Sequence, residues 1–171
     1  MMVSLTIDNS LISSTNLLGS TGSGSDTFIN AQSINLANQS VIGSTSVGQG
    51  AAGRVTLVAQ DAITLSNSTI QSSANPFVAG NTSRAPSGDI DLQARSLSLE
   101  GNSGIASRSF DAGRSCGIRI NTREAITLNN SFIGSDAVGT TEAGGDIQLQ
   151  TGQLSLLNNS AISAGTKLSD F

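Results

Sequence analysis

Aliphatic residues recur along this chain on two beats, a short one of two residues and a long one of about 29. The short beat gives triplets such as Ile34-Asn-Leu36, Ile63-Thr-Leu65, Leu97-Ser-Leu99, Ile126-Thr-Leu128 and Leu154-Ser-Leu156. A second set precedes them: Thr27-Phe-Ile29, Val55-Thr-Leu57, Ile90-Asp-Leu92, Ile118-Arg-Ile120 and Ile147-Gln-Leu149. Alternation of this kind, rich in branched side chains, predicts half-buried strands. The long beat appears when copies are aligned on Ile7, Leu36, Leu65, Leu99, Leu128 and Leu156, at spacings of 29, 29, 34, 29 and 28. A second marker at Ile12, Ile42, Ile70, Ile105, Ile133 and Ile162 keeps the same time. Helical spacing is absent, and the abundant Ser, Asn, Thr and Gly disfavour helix.

Each copy therefore predicts three short strands in a fixed order. Between the second and third strand stands Asn-Ser (Asn9-Ser10, Asn67-Ser68, Asn102-Ser103, Asn130-Ser131, Asn159-Ser160), with Gln39-Ser40 as the variant. Asn accepts left-handed backbone and bonds its own main chain, so these are turns, and the Asn-x-Ser/Thr triplets are read the same way. A longer Gly/Ser/Thr loop follows the third strand. The extra residues of the 34-residue step lie there, at 72–87, with both prolines, Pro76 and Pro86. The stretch Gly88–Ile105 returns at Gly145–Ile162 with 11 of 18 positions identical. A repeat of this length predicts stacked supersecondary units, each unable to bury its apolar face alone. The expected fold is all-β: a right-handed parallel β-helix of about six rungs of about 29 residues, the hand taken from the crossover rule. Residues 1–171 are expected to form a single domain whose first rung, from near Val3, is incomplete. The end turns lack polar caps, so the chain reads as a fragment of a longer solenoid.

Apolar residues are 37% of the chain and charged ones 12%, with a net charge of −4. A disordered chain would carry more charge and no aliphatic beat. No basic stripe exists and Trp and Tyr are absent, which argues against nucleic acid. No signal peptide or run of transmembrane length is visible. Stacking also arranges the charges: Asp26, Arg54 and Asp89 share one column, Asp61, Arg95 and Glu124 a second, and Asp91 and Arg119 a third. Opposite charges at the spacing of neighbouring strands attract by about 0.2–1 kcal/mol per pair.

Few residues suggest chemistry. Gly113-Arg-Ser115-Cys-Gly117 fits the G-x-S-x-G elbow, but the chain has no histidine to act as base and a strand follows. Gly48-Gln-Gly50-Ala-Ala-Gly53 fits G-x-G-x-x-G, but it precedes a strand instead of opening a helix. Both are read as loops. Asp89 and Asp146 share a column two turns apart, about 10 Å, near the upper limit for an inverting carboxylate pair. Arg54 is expected to occupy Asp89. With no histidine and a lone Cys116, neither a metal site nor a cofactor is expected. Cys116 falls in the Gly53/Gly88/Gly145 column; it is read as a tolerated loop substitution, with a thiol activated by Arg114 as the lesser reading. Pro76, Phe77 and Val78 form the largest loop bump; they would either offer a contact surface or fold back on the coil.

The order G-[DR]-[IV]-x-L … I-x-L-x-N-S-x-I, as in GGDIQLQTGQLSLLNNSAISAGT and AGRVTLVAQDAITLSNSTIQS, resembles the repeats of filamentous-haemagglutinin-like exoproteins over most of Val3–Thr166. These are large secreted proteins of Gram-negative bacteria. The resemblance implies export through an outer-membrane transporter partner and a secreted or cell-surface location. It also implies a non-catalytic structural or adhesive role toward surface glycans or other cells, with no small-molecule substrate. The alternatives are a carbohydrate-active or carbohydrate-binding β-helix, or a non-functional piece of a larger exoprotein gene.

Overall fold

The structure, a computed structural model, describes residues 2–74, 85–110, 114–138 and 143–167. Within them the chain is all strand and turn. A partial first coil holds β1 (Leu5–Asp8) and β2 (Leu11–Asn16). The second holds β3 (Thr27–Ala31), β4 (Ile34–Ala37) and β5 (Val41–Ser46), and the third β6 (Val55–Ala59), β7 (Ala62–Ser66) and β8 (Thr69–Ala74). In the fourth and fifth the first two strands run together, as β9 (Ile90–Glu100) and β11 (Ile118–Asn129), followed by β10 (Gly104–Phe110) and β12 (Phe132–Val138). The sixth holds β13 (Ile147–Gln150), β14 (Gln153–Leu157) and β15 (Ala161–Lys167).

Every strand pairs in parallel with its counterpart one coil away, which is a parallel β-helix of five full coils and a partial one. The third strands make one sheet, in the order β15-β12-β10-β8-β5-β2. The first and second strands share the other, because β9 and β11 belong to both columns. That fusion departs from the expected three separate strands: at the fourth and fifth coils the linker itself pairs, with a bulge between Thr122 and Ala125.

Both markers stack as the repeat predicts. Leu36 faces Ile7 and Leu65, and Leu99 faces Leu65 and Leu128. Ile42, Ile70, Ile105 and Ile133 form the column of the third strands. These central residues are fully buried, whereas Leu154 and Leu156 of the sixth coil are each 43% exposed. Burial of each central aliphatic is worth about 1.5–3 kcal/mol.

Turn chemistry follows the Asn-Ser prediction. Asn9, Gln39, Asn67, Asn102, Asn130 and Asn159 all have positive φ, from 45° to 65°. The corners alternate along the stack. Asn9, Asn67 and Asn130 stand alone in the left-handed region, whereas Asn38-Gln39, Gly101-Asn102 and Asn158-Asn159 are pairs. Serines after these turns form an internal ladder: Ser10 N donates to Ser40 Oγ, Ser40 N to Ser68 Oγ, and Ser68 N to Ser103 Oγ.

Candidate functional site

A second serine ladder closes the opposite corner. Ser14, Ser44, Ser72, Ser107 and Ser135 stack in the third-strand sheet, two residues beyond the marker isoleucine. Ser44 Oγ accepts from Gly53 N at 2.7 Å, Ser72 Oγ from Gly88 N at 2.7 Å and Ser135 Oγ from Gly145 N at 2.9 Å. At the fifth coil the bond is relayed: Cys116 N donates to Ser87 Oγ at 2.9 Å, and Ser87 Oγ meets Ser107 Oγ at 2.8 Å. Unpaired buried amides are costly, so these hydroxyls satisfy backbone that the ladders of the sheets leave over. The I-x-S signal stands in five of the six copies, a polar beat that the apolar periodicity does not carry.

The candidate motifs resolve into this architecture. Gly48, Gly50 and Gly53 lie between β5 and β6, and a Cβ on Gly50 or Gly53 would stand 2.1 Å from the carbonyl oxygen of Gly22 or Ser25. Close coil-on-coil approach, not a nucleotide, accounts for them. Ser115 is buried and donates to the carbonyl of Asp136, so it faces the interior as a structural hydroxyl. Gly113, Pro76, Phe77 and Val78 lie outside the described residues. Cys116 is half-buried, and burial pushes its thiol up from 9.0; the carboxylate of Asp89 adds to this, outweighing Arg114, Arg54 and the Ser87 bond. The thiol activated by Arg114 is therefore corrected: desolvation wins.

The charge columns are met in part. Arg54 reaches Asp89 at 3.2 Å and Asp91 at 3.6 Å, and Arg119 reaches Asp91 at 3.7 Å. Arg95 reaches Asp61 at 3.5 Å. Asp26 accepts instead from the backbone N–H of Arg54, at 2.7 Å. Glu124 makes no ion pair among the described residues: the bulge sets both Arg123 and Glu124 against Arg95 and breaks the column.

Asp89 and Asp146 do share a column, separated by Gly117, whose N–H donates to Asp89 Oδ1 at 2.9 Å. Both line a groove of about 430 Å³ with Pro86, Arg114, Cys116 and Arg119. A second groove, of about 360 Å³, continues from it across the outer face of the first strands. Arg119 and Gln148 line both. Gln93, Asn121 and Gln150 face one another across coils four to six along this second groove, and Asp91, Arg119 and Gln148 form the adjacent column. The result is one polar trough over three coils. Only the strand register gathers these side chains, so no local motif announces them. Among the described residues no three of His, Cys, Asp and Glu converge as a metal site would require. No family model, curated protein or solved structure matches this chain.

Proposed function

We propose that this chain is a non-catalytic structural or adhesive stretch of a secreted or surface-attached filament of the filamentous-haemagglutinin-like kind. One observation carries the reading: its buried serine hydroxyls and its ion pairs hold coil to coil. The serine hydroxyls serve backbone N–H groups, and Asp89, Asp91 and Asp61 serve arginines of neighbouring coils. A stiff rod with regular outer faces suits display and contact rather than turnover. The repeat resemblance supplies the expectation of export and of an outer-membrane transporter partner.

The test is a screen of the purified chain on plant, algal and bacterial polysaccharides for released reducing ends. The expected result is none. Turnover abolished by Asp89→Asn or Asp146→Asn would overturn the proposal and favour the second reading, a carbohydrate-active solenoid. That second reading draws on the two aspartates lining one groove. Location is tested separately, by surface labelling and fractionation of cells that express the native gene; recovery only inside the cell would count against a surface role.

A further inference from the structure

The outer trough over coils four to six carries more than the rod needs. Gln93, Asn121, Gln148 and Gln150 present carboxamides along it, each with two donors and an acceptor. Several such groups at the corners of the coils are consumed within the stack. Asn38 Nδ2 donates to Asp8 at 2.6 Å, Asn130 Nδ2 to Asn102 at 3.0 Å, Asn158 Nδ2 to Asn129 at 2.8 Å, and Gln32 Nε2 to Asp61 at 2.5 Å. Among the described residues the four trough amides make no such bond, although coil stacking sets their rows only about 4.8 Å apart. Their hydrogen-bonding capacity faces outward, in a concave surface with a fixed backbone floor at Leu92, Ile120 and Leu149.

The charges of the trough narrow the ligand. Asp89, Asp91 and Asp146 are balanced by Arg114 and Arg119 in the trough and by Arg54, which reaches Asp89 and Asp91 from the third coil, so the surface is neutral in sum. Asp91 is gripped on both sides, by Arg54 and Arg119, and Asp89 by Arg54 and the Gly117 N–H. A polyanion would meet the three carboxylates and a polycation the three guanidiniums. Planar amides, carboxylates and guanidiniums set side by side suit adjacent hydroxyls, each of which both donates and accepts. We propose that this trough binds a neutral, polyhydroxylated chain, an uncharged oligosaccharide laid across coils four to six. The proposal rests on the adhesive reading and names its contact site and ligand class. Among the described residues no aromatic platform lines the trough, so binding is by hydrogen bonds and weak, with a Kd of about 1 mM.

The test is an NMR titration of the isotopically labelled full chain, read at its side-chain amide resonances. Cellohexaose, xylohexaose and mannohexaose are the neutral probes, and a galacturonate oligomer and a heparin tetrasaccharide the anionic ones. At least one neutral probe is expected to move the amides of Gln93, Asn121, Gln148 and Gln150 while leaving those of Asn38, Asn130 and Asn158 in place. Asn121→Ala and Gln148→Ala should each weaken that binding about two- to tenfold, the worth of one hydrogen bond. Gln71→Ala, on the third-strand sheet, should not. The inference falls if no neutral probe moves the trough amides at about 10 mM, well above the expected Kd. It also falls if the shifts map to another face, if the anionic probes bind more tightly, or if both trough variants bind normally. A silent titration would leave the structural reading intact, whereas polysaccharide turnover would remove the adhesive reading itself.

Discussion

Ser72 joins two coils with one hydroxyl, accepting from Gly88 N at 2.7 Å and donating to Gly53 O at 3.0 Å. It is fully buried, so neither backbone group can turn to water if the hydroxyl is lost. Ser72→Ala should cost about 1–3 kcal/mol, measured as a shift in the denaturant midpoint at constant slope. Gly88→Ala should cost about 3 kcal/mol or more, since the added Cβ would stand 2.2 Å from the Gly53 carbonyl oxygen, which is backbone and cannot swing aside. Cys116 makes a prediction of opposite character. Its folded thiol holds the proton above 9.0, so as pH rises the unfolded chain ionises first. Stability is unaffected well below 9.0 and falls as pH climbs past it. Denaturation from about pH 8 to about pH 10 should show this fall in the native chain and a smaller one in Cys116→Ala.

Strands and corners were the most legible level in the sequence. The Leu99 and Ile105 columns could be written down from the repeat because apolar identity is what stacking demands of an inward position. The Asn turns were legible for a different reason: few residues accept positive φ. Asn67, with φ 49° and standing alone, tests that point. Asn67→Ala should lose about 1–2 kcal/mol in thermal or chemical unfolding, and Asn67→Gly should lose almost nothing. The loss of the expected pairing of Arg95 with Glu124 could not be foreseen, because a bulge at residues 122–125 leaves no trace in an apolar beat. The trough was equally hidden. Its outward positions vary in residue type from coil to coil, and only the register brings Gln93, Asn121 and Gln150 together.

For the molecule as a whole, stability is the sum of contacts between neighbouring coils, so the same substitution differs in effect along the axis. Leu99→Ala, at a fully buried central site, should cost about 2–5 kcal/mol. Leu156→Ala removes an equivalent side chain of the sixth coil that is 43% exposed, and should cost far less. Hydrogen exchange should rank the coils in the same way, with amides of the third to fifth most protected. The alternating corners carry one more consequence. Since single and paired left-handed residues take turns, the true module is two laps, the 57-residue step from Ile90 to Ile147 that joins the two most alike segments of the chain. Excising or inserting such a double lap keeps unlike corners in contact, whereas a change of one lap sets two identical corners against each other. Lengthening by duplication should therefore proceed in even counts, as bricklayers keep joints staggered by adding courses in pairs.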